Sequence, residues 1–498
     1  VYPRATSLSE ETDGHAVQLL IDIQAGSGGI CNITLPDGAT VRTSFTIKSG
    51  SNPTVLWGRG CKLLQVTPGA DGWHHGTADS GFQTVYGSTF SVQGVGFECL
   101  GIGGTALVVE QDPSFGSFVM RDVRISGNGN QTTNYWVSAV KSTGCSLTTW
   151  NTVSATGINQ GNINSVNDAF VFTHDATRFP TTGSYIFRFS DVDAYYYKSA
   201  YVCNITRPLE GFWIIRGNSN DCVSVLTTNN TYFPTNNYRA PQYFVLGHQC
   251  ECYGTFFTLN GVSQAKIKDC LLIVKASTPG KYEYTDYTNI LFYVNNSSYD
   301  VEIVGNSILM LPNARYAYAL SADGAAQYIT MKGNHFQFNT NAGFVSAVNF
   351  GPSTNSLGSC REYDNMGFFN RSDSSATGTA DRLRGNFSQA SIEYKLLAAG
   401  QGDVLDSINP LLGRVKISGS RVVTPNATTK AASITIPPFT LSSVPIAMLT
   451  LGDTANVPST GDILIQDLSN SYSNSVGIVI PTYTGSAGRR VNFTLTDH

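Results

Sequence analysis

A short β pattern returns about every thirty residues along most of this 498-residue chain, and few architectures accept such a period. Each copy alternates apolar and polar residues and then turns on Gly, Asp or Asn: SVQGVGF, VMRDVRI, FSDVDAY, IIRGNSN, IKDCLLI, IVGNSIL, MKGNHFQ and EYDNMGF. The turn residues are Gly94, Asp122, Asp191, Gly217, Asp269, Gly305, Gly333 and Asp364, with weaker copies at Asn151 and Gly247. Period-two alternation makes each copy a set of strands. A fixed repeat of this length makes the copies stack as a solenoid with one continuous core. A second strand column runs beside the first: TALVVE, WVSAV, DAFVF, SAYVCN, DCVSVL, TFFTLN, ILFYV, YAYAL and FVSAV. One position past the turn, Asn218, Asn306, Asn334 and Asn365 recur. They suit either an inward asparagine ladder or simple turn chemistry.

Charged residues are only 13% of the chain and the net charge is -4, with no block of Lys or Arg. Nucleic acid and anionic membranes are therefore poor partners, and no apolar run reaches the roughly 20 residues of a membrane helix. The 10 cysteines are scattered through apolar strand text, which predicts buried free thiols rather than a disulfide framework. No cofactor and no metal are expected. His74 and His75 are adjacent, a spacing that rarely turns two imidazoles to one ion, and Cys250-Glu251-Cys252 lacks a second pair.

At the N-terminus, Ser7 to Glu10 has the form of a capping box, and Ala16, Leu19, Leu20 and Ile23 follow at helical spacing. A helix there would cap the first coil. Next come Leu35-Pro36-Asp37-Gly38, the strand SFTIKS and Gly58-Arg59-Gly60. This order, over about residues 7–66, resembles the entry of pectin-lyase-like right-handed parallel β-helices, phage tailspikes among them. The family's G-D-G-x-T-D-D-T opening is degenerate here, from Leu8 to Gly14. After Arg414 the period changes to RVKISGS, SITIPPF, PIAMLTLGD, DILIQDL, VGIVIPT and RVNFTLTD, strands spaced as in a β-sandwich.

The expected fold is thus all-β, a right-handed parallel β-helix of about ten or more coils with a C-terminal β-sandwich. Residues 1–30 would form the capping region, 31–385 the helix, 386–412 a linker with room for one short α-helix, and 413–498 the sandwich. The resemblance implies a homotrimer locked by that last domain, placed on the phage tail, outside the host cell. Because the chain opens on Val1 rather than Met, a preceding segment that joins the virion is also expected.

Tailspikes of this shape bind or cut bacterial surface polysaccharide (capsule, exopolysaccharide or O-antigen), and hydrolytic ones use paired carboxylates. Two pairs are candidates for catalysis. Asp191 and Asp193, at i and i+2, would share the outer face of a strand roughly 6.5–7 Å apart. Asp168 and Asp221 each precede a strand of the second column with one coil between them, which would separate them by about 9.6 Å. For substrate binding, Tyr195, Tyr197 and Lys198 continue the first pair's face, and Trp73, Tyr238 and Arg216 stand on loops or beside turns. Glu251, Glu302, Glu362 and Asp364 are single acids.

Insertions around Trp73–Asp79, Tyr232–Arg239 and Lys281–Tyr287 would build groove walls. An alternative is a lyase that cleaves a uronic-acid polymer by β-elimination, with Arg121, Arg124, Arg188, Arg216, Lys268 and Lys332 as a basic stripe. A non-catalytic receptor-binding β-helix is the third reading. A polygalacturonase is disfavoured, because no Asp-Asp pair occurs in the chain.

Overall fold

The computed structural model describes residues 12–26, 28–50, 52–76, 89–111, 116–159, 161–175, 185–205, 207–230, 241–295, 298–322, 326–350, 360–363 and 365–369. Towards the C-terminus it describes 381–383, 404–409, 414–426, 428–429, 431–435, 446–451, 465–472, 475–479 and 489–496.

Two parallel sheets wind around one core. In the larger, Cys31–Thr34 and Thr40–Thr43 lead into long bent strands: Thr54–Gln65, Thr89–Cys99, Ser117–Gly127, Leu147–Thr156 and Tyr185–Tyr195. Later coils split each bent strand in two, from Leu209–Ile215 and Asn218–Cys222 down to Cys360–Tyr363 and Met366–Phe369. The other sheet has 11 strands, Ile47–Lys48 to Gly343–Phe350, and every run expected for the second column contributes a strand to it, although Asp221 and Cys222 of DCVSVL belong to the strand Asn218–Cys222 of the larger sheet. Coil-to-coil pairings are parallel in both sheets, so the chain is a right-handed parallel β-helix. Inside it, Phe90, Phe118, Trp150, Phe189, Phe212 and Tyr243 form a chain of rings with successive centroids 4.9–5.7 Å apart.

The bend in each strand comes from one residue in the left-handed region. Gly60, Gly94, Asp122, Thr152, Asp191, Arg216, Gly247, Asp269, Gly305 and Gly333 all have φ between 53° and 68°. Left-handed backbone costs an ordinary residue roughly 1–2 kcal/mol, which is why Gly and Asp dominate the column. The register corrects two expected turns. Asn151 pairs with Ser190, so Thr152 stands opposite Asp191, and Ser190 pairs with Ile215, so Arg216 takes the column position while the expected Gly217, also left-handed at φ 86°, continues the turn. Asp364 lies outside the described residues.

Three of the four recurring asparagines form a ladder. Asn306, Asn334 and Asn365 are fully buried. Asn306 donates from N and Nδ2 to Asn334 Oδ1 (3.0 and 2.8 Å), and Asn334 repeats both bonds to Asn365. The second Nδ2 proton of each goes to a backbone oxygen, that of Ile267, Ile303 or Met331. Asn218 is not a member. It pairs with Gln249 on the outer face, while the ladder column continues through Cys270 and His248.

The N-terminal helix Thr12–Gly26 covers the first coil, but by a different face from the expected one. Val17 and Ile21 are buried, whereas Leu19, Leu20 and Ile23 are exposed. Gly14 decides this: an added Cβ would stand 2.7 Å from Arg42 O, so only that side can approach the coil. Two glutamines of the helix then bond the open backbone edge. Gln18 gives to Lys48 O and takes from Lys48 N, both at 2.8 Å, and Gln24 does the same with Asn32 at 3.2 and 2.6 Å. Ser7 to Glu10 lie outside the described residues.

Among the described residues the last parallel pairing reaches Met366–Phe369, and Asp381–Leu383 pairs antiparallel with that strand. All six C-terminal runs contain strands. With Val404–Asn409, which occupies the segment expected to be linker with a short helix, they form antiparallel sheets of four and three strands.

Nine of the cysteines are described, all buried and all free. Millimolar reductant should leave the thermal midpoint unmoved within about 1 °C, since no cross-link constrains the unfolded chain. Asn334→Ala should lower unfolding stability by about 3 kcal/mol through the orphaned partners, against less than about 1 kcal/mol for Asn218→Ala, both read by chemical denaturation.

Candidate functional site

The outward face beside the turn column carries the charged groups. Asp191 sits at the bend, where its Oδ2 accepts from Ser190 Oγ (3.0 Å) and pairs with Arg216 at 3.0 Å. Both partners are well exposed, so this ion pair contributes little to stability. Because Asp191 is left-handed, the strand-rise separation from Asp193 does not apply to this pair. Val192 turns inward and Asp193 outward, where it accepts from Asn218 Nδ2 at 2.9 Å. Tyr195 follows on the same face. Burial, and then the adjacent Asp193 carboxylate, raise its phenol pKa.

A denser cluster lies on the next coils. Asp221, Glu251 and Lys275 come from three successive coils, and Lys275 Nζ stands 2.6 Å from Asp221 Oδ1 and 2.8 Å from Glu251 Oε1. The two carboxylate oxygens are therefore no more than about 5.4 Å apart, close to the spacing of retaining glycosidase pairs. Tyr253 donates to Asp221 Oδ1 at 3.0 Å and places its ring 5.1 Å from the ammonium. Burial, then the Asp221 charge, push the Tyr253 phenol up to about 12. Burial lowers the pKa of Lys275, but its bonds to Asp221 and Glu251 outweigh that and hold it above the ordinary lysine value.

The insertion after Lys275 builds one wall. Tyr284 donates to Lys275 O at 2.9 Å, Tyr282 lies 6.2 Å from Tyr253, and Lys281 Nζ is 6.0 Å from the Tyr196 ring. Tyr282 and Tyr284 also pack against the core, so they anchor their own loop as well as shape the site.

Several expected site residues sit elsewhere. Tyr196 has φ 61°, which reverses the alternation and buries Tyr197 completely; Tyr197 is a core ring and not a sugar contact. Trp73 is also fully buried, within the strand Trp73–His75, and donates to Ser49 Oγ at 2.9 Å. The histidines beside it diverge, His74 to Glu110 and the buried His75 to Ser49. Asp168 and Asp221 are not equivalent. Phe170 pairs with Tyr201 and Ser199 with Ser224, so the counterpart of Asp168 is Ser224, three residues beyond Asp221.

Lys198 is exposed on a turn, where its N–H bonds Asn167 O. Arg121, Arg124, Arg188 and Lys268 do face outward, although Arg188 lies over Trp213 and Lys268 bonds Asp269. Glu302 is held by Lys266 at 2.6 Å. Tyr238, Asp79, Tyr232, Phe233, Arg239 and the side chain of Glu362 lie outside the described residues. Sequence reading missed Lys275, Tyr253 and Tyr196, and it gave Glu251 no partner. Lys275 follows the strand Leu271–Val274, whose register brings it beside residues 54 and 24 positions earlier.

No family model matches the chain, and no curated protein matches it. Solved structures similar to it include the tailspike protein of E. coli bacteriophage HK620 in complex with pentasaccharide. That match has 12% identity and a TM-score of 0.41, over 100% of this chain and 91% of that one. Another is the tailspike protein gp49 from Pseudomonas phage LKA1, at 11% identity and a TM-score of 0.32, covering 100% and 94%.

Replacing Lys275 by Met would leave two half-buried carboxylates side by side. The loss at neutral pH should be about 2 kcal/mol. One carboxyl pKa would then rise above its unfolded value, so the folded state would bind the extra proton and stability would recover as pH falls. Wild type should show no such recovery. Denaturation midpoints of both proteins at pH 7 and about pH 4.5 check this.

Proposed function

We infer that this chain binds a bacterial surface polysaccharide along the outward face of its β-helix and cuts it by glycosidic hydrolysis, as a phage tailspike does. The observation that carries the reading is the Asp221–Glu251 pair, two carboxylates on adjacent coils bridged by one ammonium and so no more than about 5.4 Å apart, beside Tyr253, Tyr196 and the 276–289 wall. Asp191, Asp193 and Tyr195 extend the same face by one coil, Arg216 stands on the coil of Asp221, and all four supply hydrogen bonds to neighbouring sugars. In this reading the protein works at the host cell surface as part of the phage tail. Its two C-terminal sheets pack as a sandwich that ties three copies together.

Lys275 gives the pair a division of labour. In the free protein its ammonium bridges both acids. A sugar entering between them displaces the ammonium from one acid and leaves it on the other. The acid that loses the ammonium becomes easier to protonate and donates to the departing glycosidic oxygen. The acid that keeps it remains ionised and attacks the anomeric carbon as nucleophile, which the short separation permits. Water then enters the vacated side, returns a proton to the first acid and frees the sugar with retained configuration. A lyase on the same face would instead use Tyr253 as base, and its product would carry an unsaturated end.

Incubation with polysaccharides from candidate hosts, followed by size analysis and ultraviolet absorbance, tests the reading. Shortened chains without new absorbance are expected. Asp221→Asn and Glu251→Gln should each lower turnover at least about 100-fold while affinity changes less than about threefold. Cutting that survives both substitutions, or products that absorb, would remove this mechanism. Binding without any shortening would remove the enzyme.

A further inference from the structure

A concavity of about 620 Å³ opens on the same outward face at the second to fourth coils, well away from Asp221 and Glu251. Its floor is bare backbone. Gly60 and Gly94 are left-handed, and a Cβ on Gly94 would stand 2.1 Å from Gly58 O, while one on Gly58 would stand 1.9 Å from Cys61 Sγ. A side chain at Gly58 or Gly94 would therefore force its neighbours to shift, and at Gly60 the left-handed backbone favours glycine, so none of the three carries a side chain into the hollow. Trp57 lies on its rim with 41% of its surface exposed, among the few large apolar side chains this helix leaves in water.

The charges around the hollow are unevenly used. Lys62 is bound to Glu98 at 2.8 Å, and Glu98 also accepts from Asn128 Nδ2 at 2.5 Å, so this pair is internally satisfied. Arg59, Arg124 and Asp122 also line the hollow, and among the described residues none of the three has an ion-pair partner. The mouth thus offers two free guanidinium groups, one free carboxylate and one exposed indole above a backbone floor.

We propose that this hollow is a second saccharide site, selective for a sugar that carries a carboxylate, such as a uronic acid. A guanidinium binds a carboxylate through two parallel hydrogen bonds, and two of them make the site discriminate against neutral sugars. Trp57 stacks on the apolar face of the pyranose ring, and Asp122 accepts from its hydroxyls. Register fixes the distance to the hydrolytic pair. Gly94, Asp122, Thr152, Asp191 and Arg216 mark successive coils, so the hollow and Asp221 are three to five coils apart, roughly 14–24 Å. A glycan about three to five sugars long spans that gap, so the hollow anchors a polymer whose cutting point lies elsewhere. The inference rests on the polysaccharide reading but not on catalysis.

The test uses the full chain as a Glu251→Gln variant, so that bound polymer is not consumed. It is titrated against a printed array of bacterial capsular and O-antigen polysaccharides with and without uronic acids. Binding confined to acidic polymers is expected, with affinity lowered at least tenfold by the Arg59→Ala/Arg124→Ala double variant. Trp57→Ala should weaken the same polymers, and circular dichroism checks that both variants keep the wild-type strand signal. Equal binding of neutral polymers, no binding at all, or acidic binding untouched by the double variant overturns the proposal. Cutting by the wild type with no acidic preference would sink this site alone. Arginine-dependent acidic binding with no cutting of any polymer would sink the hydrolase alone.

Discussion

The parallel backbone ladder between coils sets every other distance in this molecule. Asn151 lies between Arg121 and Ser190, and Leu246 lies between Ile215 and Lys268, so each residue inherits a fixed neighbour one coil above and one below. A single coil cannot bury its own apolar face, and its backbone groups find partners only on adjacent coils. Side chains are therefore selected by column. Rings fill the bore, asparagines occupy one inward turn position, and charges stand on the outer face. The candidate site follows from the same rule, since Asp221, Glu251 and Lys275 meet only because three coils are held in step.

Much of this arrangement was legible in the sequence because period and alternation are local signals. The turn column was readable from Gly and Asp at regular intervals, whereas the common offset of Asn218, Asn306, Asn334 and Asn365 left a ladder and simple turn chemistry equally open and did not separate Asn218 from the other three. What could not be read was parity. One left-handed residue at Tyr196 sends Tyr197 inward where simple alternation sends it out, and no residue type marks that reversal. Thr152 and Arg216 occupy the turn column although neither favours left-handed backbone, so their places come from the ladder and not from propensity. Asp168 and Asp221 looked equivalent because both follow Asn and precede an apolar run, yet they fall three positions apart in register. Lys275 escaped notice because its partners come from other coils.

The outer face divides its electrostatics by burial. Asp191 and Arg216 form an open pair in water, whereas Lys275 and its two acids are mostly covered and lean on Tyr253. The exposed pair can be broken by a ligand at small cost, and the covered one exchanges partners only for a group that brings its own hydrogen bonds. A polyhydroxylated chain meets both conditions.

The glutamines of the N-terminal helix bear on a hazard common to all stacked strands. The first coil ends in an open row of amides and carbonyls, the same template that lets cross-β fibrils recruit another chain. Gln18 and Gln24 saturate two points of that row with side-chain amides, imitating a next strand that has no further edge of its own. In polymer terms the helix is a chain stopper. It satisfies the growing end without regenerating it, and so confines the solenoid to a rod of defined length rather than a seed for fibres.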